Sequence, residues 1–183
     1  RSRSSAGGVA PVRQALGIRT IFNMLGPLAN PAGVKRQVMG VFAPEWVEPV
    51  AKAMLSLGAE RAMVVHGLDG MDEISTTGTT LVADIKDGAV RMQDLTPERL
   101  GVTRAKLDDL RGGTVAENAA ALTRLLQGEP GPFADLVAVN AGAAIHVAGK
   151  TDTLLDGIAR ARASVASGKA MAALEALRRA SNG

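Results

Sequence analysis

A strand, a helix and a second strand follow one another between residues 37 and 66, and that run leaves few folds open. Residues 37–42, QVMGVF, form a short apolar stretch that reads as a buried strand, and Pro44 ends it. Residues 45–57 place Val47, Val50, Met54 and Leu57 on one helical face, and Gly58 suits the closing turn. Residues 61–66, RAMVVH, form a second apolar stretch. Two buried strands joined through a helix make a parallel crossover unit. The expected class is therefore α/β, with a mainly parallel central sheet flanked by helices.

The flanking segments extend this pattern. Residues 79–84 and 89–94 alternate around Lys86, Asp87 and Gly88, and the Asp-Gly pair marks a hairpin. Thr96 suits the cap of a short helix beginning at Pro97. Residues 114–127 carry Val115, Leu122, Leu125 and Leu126 at helical spacing, closed by Gly128. Residues 132–148 are apolar nearly all round, which predicts a buried helix. Two amphipathic helices, 152–167 and 169–180, flank Gly168. Upstream, residues 1–8 (RSRSSAGG) predict a flexible or non-native segment, and residues 9–17 suit a short helix. With no internal repeat and no long linker, residues 9–183 read as one domain.

Composition closes off several function classes. The 183 residues hold no cysteine, so disulfides, thiolate metal sites and cysteine nucleophiles are excluded. Only 2% are aromatic, and the core must come from Ala, Val, Leu, Ile and Met. No apolar run approaches the length of a membrane span, and no apolar signal core follows the basic N-terminus, so a cytoplasmic protein is expected. The net charge of +3 is uneven: residues 1–36 hold six basic side chains and no acid, while the rest hold 15 basic and 18 acidic ones. That basic end is either a solvated tail or a surface that meets anions, whether small phosphates and carboxylates or nucleic acid.

Two segments offer chemistry. RTIFNMLGPLANP, residues 19–31, is a loop rich in Gly, Pro and Asn with apolar anchors. Gly26 permits close approach of a ligand and Pro27 stiffens the wall beside it; a purely structural turn is the other reading. HGLDGMDEISTTGTT, residues 66–80, follows a strand, and ligands in open α/β sheets bind at the carboxyl ends of strands. Its Asp69, Asp72 and Glu73 are hard oxygen donors of the kind Mg²⁺ takes together with phosphate oxygens. Acids that only solvate the loop or cap a helix fit the same spacing. Of the two histidines, His146 lies in the apolar helix and reads as a packed core side chain. His66 ends a strand beside the acidic loop, where a site role is open. No catalytic-triad order, zinc spacing, GxGxxG or GxxxxGK[ST] occurs.

Three segments together resemble the anthranilate phosphoribosyltransferase family. They are VRQALGIRTIFNMLGPLANP (12–31), VHGLDGMDEIS (65–75) and GGTVAENAAALTRLLQGEPGPFADLVAVNAGAAIHVAG (112–149). The tail SGKAMAALEAL (167–177) is also similar to the family's end. The resemblance runs from residue 9 to the C-terminus. It implies the larger α/β domain of a fold shared with nucleoside phosphorylases, without the complete small helical domain. It also implies transfer of phosphoribose from phosphoribosyl pyrophosphate to the amine of anthranilate, with Mg²⁺, in a protein that is a homodimer when full length. By motif, Arg13 falls at the arginine that contacts the anthranilate carboxylate, Gly26 and Pro27 beside the acceptor, and Asp72 and Glu73 at the magnesium pair. Arg13 can fork onto a planar carboxylate, and two carboxylates can hold a cation that neutralises a leaving pyrophosphate.

The departures are equally specific. The family's Gly-rich phosphate loop and ribose-phosphate motifs lie N-terminal to anything present, and Arg3 stands where the acceptor-side histidine would. The chain alone is expected to be inactive. A nucleic-acid-binding relative of the same fold stays open, though the intact Arg13 and Asp72-Glu73 favour the enzyme. The Arg13 and Leu-Gly-Pro context disfavours a nucleoside phosphorylase.

Overall fold

The computed structural model describes Leu28 and residues 33–182. The chain divides into two compact units, Arg1–Val34 and Lys35–Gly183, and the elements below belong to the second. Arg13, Gly26 and Pro27 lie outside the described residues.

Strand β1, Arg36–Gly40, leads through a single 3-10 turn at Pro44–Trp46 into helix α1, Val47–Ser56. Proline opens that turn, where a missing N–H costs nothing. Helix α1 buries Val47, Val50, Ala51 and Met54. Leu57, expected on the same face, is instead 62% exposed, because it sits at the C-cap where the chain leaves the helix. Gly58 takes φ +86°, its N–H meets the Leu55 carbonyl at 2.9 Å, and the Ala59 N–H meets that of Met54 at 3.0 Å. These two bonds satisfy helix-end carbonyls and turn the chain back toward the sheet.

Strand β2, Arg61–Gly67, pairs parallel with β1 from Arg36↔Arg61 to Gly40↔Val65. Strand β3, Thr80–Lys86, returns antiparallel to β2, and β4, Ala89–Leu95, returns antiparallel to β3. Asp87 (φ +53°) and Gly88 (φ +73°) make the tight turn between them, as Asp-Gly hairpins do. The sheet order is β1-β2-β3-β4. Among the described residues the sheet is therefore mixed rather than mainly parallel. The physical reason is the connections: β1 to β2 passes through a helix, whereas β3 and β4 follow on through a loop and a hairpin, which bring the chain back antiparallel.

Among the described residues four further α-helices follow: α2, Val115–Leu126; α3, Pro132–Val147; α4, Leu154–Ala166; and α5, Lys169–Asn182. Thr114 and Glu117 form a reciprocal cap at the start of α2, with the Thr114 N–H 2.7 Å from the Glu117 carboxylate. Of the apolar residues spaced along α2, only Leu125 is buried, and Val115 is 88% exposed. Helix α3 packs on β1 and β2, and α1 packs on β2, β3 and β4. Alternation along the strands divides the core accordingly. Met63, Val65 and Val82 join Ala138, Val139, Ala143 and Val147 of α3 in one cluster that also takes in Ile74 and Ile158. Ala62, Val64, Ala83 and Ile85 are equally buried on the alternate positions.

Candidate functional site

The loop from Leu68 to Thr79 leaves β2 at the carboxyl end of the parallel pair. Its shape is set by a hub at Asp69. That carboxylate accepts the Met71 N–H at 3.2 Å and the hydroxyls of Ser75 and Thr77. The Ser75 hydroxyl oxygen in turn accepts the Thr77 N–H at 2.9 Å and the Gly78 N–H at 3.1 Å. The Ser75 N–H donates to the Thr80 hydroxyl at 2.9 Å, and Ser75, Thr76 and Thr80 are fully buried. Partial burial pushes the Asp69 carboxyl up, but the Ser75, Thr77 and Met71 hydrogen bonds outweigh it and hold Asp69 below the usual range. The segment after β4 is tied to the same loop: the Ala105 N–H meets the Thr76 carbonyl at 2.9 Å, and Arg104 meets that of Thr77 at 3.0 Å.

Asp72 and Glu73 stand outside this hub. The three acids that sequence spacing groups together are thus divided: Asp69 is bonded to the scaffold, Asp72 is exposed and Glu73 is half-buried. Burial, and then the negative charges of Asp72 and Asp69, raise the Glu73 carboxyl above its ordinary value. Two neighbouring carboxylates, one destabilised in its charged form by burial and like charge, suit a hard divalent cation, whose charge would relieve that destabilisation. Hence the donor set fits Mg²⁺. Among the described residues, no group of three or more acidic or histidine side chains is placed to hold a metal by itself. A cation held by two carboxylates must complete its shell with substrate or water oxygens.

Two residues that sequence reasoning passed over place the pair. A Cβ on Gly40 of β1 would overlap the Asp72 carbonyl, so only glycine lets this loop lie against the strand end. An isolated glycine inside QVMGVF was the available signal. The second is Asn140 of α3, whose amide oxygen accepts the Ile74 N–H at 3.0 Å and whose amide nitrogen donates to the Ile74 carbonyl at 2.9 Å.

The histidines serve the framework. His66 is 5% exposed, and its Nδ1 lies 2.8 Å from the Val41 carbonyl, which joins β2 to the end of β1. His146 is half-buried rather than packed in the core, because Arg61 reaches it from β2, with Nη2 2.8 Å from its Nε2.

Comparison with known proteins places this arrangement. Residues 1–171 match the family described as glycosyl transferase family, a/b domain. The chain belongs to that family. Within it, the chain is 59% identical over 174 residues to an anthranilate phosphoribosyltransferase of Caulobacter vibrioides, covering 95% of this chain and 51% of that protein. A Thermus thermophilus anthranilate phosphoribosyltransferase structure superposes with a TM-score of 0.82 at 52% identity, covering 91% of this chain and 49% of that one. A Saccharomyces cerevisiae anthranilate phosphoribosyltransferase in complex with PRPP and Mg superposes with a TM-score of 0.81 at 30% identity, covering 92% and 49%. The chain spans about half the length of the curated relatives it matches.

Proposed function

We propose that residues 9–183 form the C-terminal α/β part of an anthranilate phosphoribosyltransferase, which transfers phosphoribose from phosphoribosyl pyrophosphate to the anthranilate amine and releases pyrophosphate. The observation that carries this reading is the loop after β2. It spends Asp69 on its own scaffold and leaves Asp72 and Glu73 as a crowded carboxylate pair, in a chain 59% identical to an enzyme of that name.

In this reading each residue has a physical task. Arg13 grips the acceptor carboxylate through its planar fork, and Gly26 and Pro27 form the wall beside the ring. Asp72 and Glu73 hold Mg²⁺, which when bound supplies the positive charge that pyrophosphate develops against as it leaves. No side chain needs to act as a covalent nucleophile, since the acceptor amine attacks C1 itself. Orientation and charge complementarity then carry the rate. The complete protein is a cytoplasmic homodimer that meets small anionic substrates rather than nucleic acid or membrane. Among the described residues, no helix is long and apolar enough to cross a bilayer.

The test uses a full-length protein carrying these residues. Asp72→Asn with Glu73→Gln should raise the Mg²⁺ concentration for half-maximal turnover about tenfold or more, as loss of metal ligands does. An unchanged magnesium dependence in the double variant would show that the pair is only structural.

A further inference from the structure

Asn140 stands in a stretch of α3, residues 136–145 (LVAVNAGAAI), that is otherwise apolar, beside the fully buried Val139. A polar side chain in such a place needs partners, and it finds three, all main-chain. Besides its two bonds to Ile74, its amide nitrogen donates to the Leu136 carbonyl at 3.1 Å. Both donor hydrogens and the acceptor oxygen are therefore engaged.

Ile74 follows Glu73 directly, and its side chain is fully buried in the core cluster. That burial fixes where Ile74 sits. It does not fix the rotation of the peptide planes on either side, because apolar contact is non-directional. The Asn140 grip does. By taking the Ile74 N–H it orients the peptide that joins Glu73 to Ile74, and by taking the carbonyl it orients the next one. Within the pair, Gly40 brings the Asp72 carbonyl, part of the peptide that joins Asp72 to Glu73, against β1. The peptides on both sides of Glu73 are thus fixed, the one shared with Asp72 by close packing and the one shared with Ile74 by a hydrogen bond, and Asn140 touches neither carboxylate.

We infer that Asn140 is a positioning residue for the Asp72-Glu73 pair: its two-point grip on Ile74 sets the direction in which the two carboxylates meet a divalent cation. This rests on the metal role proposed above. A residue that only ties α3 to the loop would contribute stability and leave metal affinity alone, so affinity is the readout that separates the two.

The experiment titrates Mn²⁺ into the full-length protein with excess inorganic pyrophosphate and follows free Mn²⁺ by electron paramagnetic resonance. Amide exchange at Ile74 and in β2 and β3 is measured alongside. Asn140→Leu should weaken Mn²⁺ binding by about 10- to 100-fold, the usual cost of removing a partner that orients a metal ligand. Exchange at the Ile74 N–H should speed up while β2 and β3 stay protected. If Asn140→Leu binds Mn²⁺ within about twofold of wild type with that protection intact, well short of such a cost, the positioning role is overturned and the metal pair stands. If Asp72→Asn with Glu73→Gln binds Mn²⁺ like wild type, the metal reading itself fails and this inference with it. Should Asn140→Leu lose β2 and β3 protection, Asn140→Ser, which keeps one hydroxyl for the grip, decides by the same two thresholds.

Discussion

Arg61 donates to a ring nitrogen of His146, and a guanidinium has no acceptor to offer in return. The ring must therefore be neutral at that nitrogen. Burial first, and then the Arg61 charge, hold the His146 pKa below its ordinary 6.5, against smaller opposite pulls from a hydrogen bond with the Thr151 backbone and from Asp84. The consequence for stability has a definite sign. The unfolded chain takes up the proton first as pH falls, so stability declines below about pH 6.5 and keeps declining until the folded pKa is passed. Urea unfolding between pH 7.5 and 5 should show that decline in the wild type and a shallower one in His146→Gln; identical slopes would remove His146 as the cause. At this scale the sequence offered three acids, Asp69, Asp72 and Glu73, after an apolar strand, and the family resemblance alone singled out the last two. It did not reveal that Asp69 is withdrawn, since that depends on the Ser75 and Thr77 hydroxyls folding back onto it. Asn140 carried a signal, a lone amide in an apolar helix, but its partner lies 66 residues away and no local pattern names it.

Among the elements, α3 and α4 approach most closely at a pair of glycines. A Cβ on Gly142 would meet the Ile158 backbone, and one on Gly157 would overlap the Gly142 carbonyl. The two helices can cross there only because neither carries a side chain at the contact. Gly142→Val should cost about 1–3 kcal/mol or more through overpacking, read as a lowered urea midpoint, whereas Ala144→Val on the exposed side of α3 should change it little. Equal midpoints for the two variants would mean that the crossing is looser than its geometry. The segments that were legible here have strong periods: β1, β2, the Asp-Gly hairpin and the C-terminal helices. What the period could not supply was partner choice. It gave two strands joined by a helix, and the parallel pair is there, but β3 and β4 close the sheet antiparallel. Likewise α2 has helical spacing at Val115 and Leu122, yet both are exposed and only Leu125 reaches the core.

For the whole molecule, the decisive quantity is what a multiply anionic donor would meet. Phosphates are held by clustered backbone N–H groups and cations, most often at Gly-rich turns and helix N-termini. The described part of this chain offers the opposite near its candidate site: an acidic loop, in the stretch past residue 36 where acids outnumber bases by 18 to 15. The N-terminal ends of α2 and α4 are closed by their own side chains, Thr114 with Glu117 and Thr153 with Asp156. On the function proposed above, the phosphate-binding loops belong to the half of the relatives' length that these 183 residues do not span. Positioning contributes on the order of 7–11 kcal/mol to a two-substrate reaction in favourable cases, so a chain that cannot cradle its donor should lose nearly all of its rate. These 183 residues alone, assayed with anthranilate, phosphoribosyl pyrophosphate and Mg²⁺, should therefore show little or no turnover, even with Asp72 and Glu73 correctly placed. A rate within about tenfold of a full-length relative, a deficit of only about 1.4 kcal/mol, would place the phosphate site within this chain and overturn the division of labour argued here.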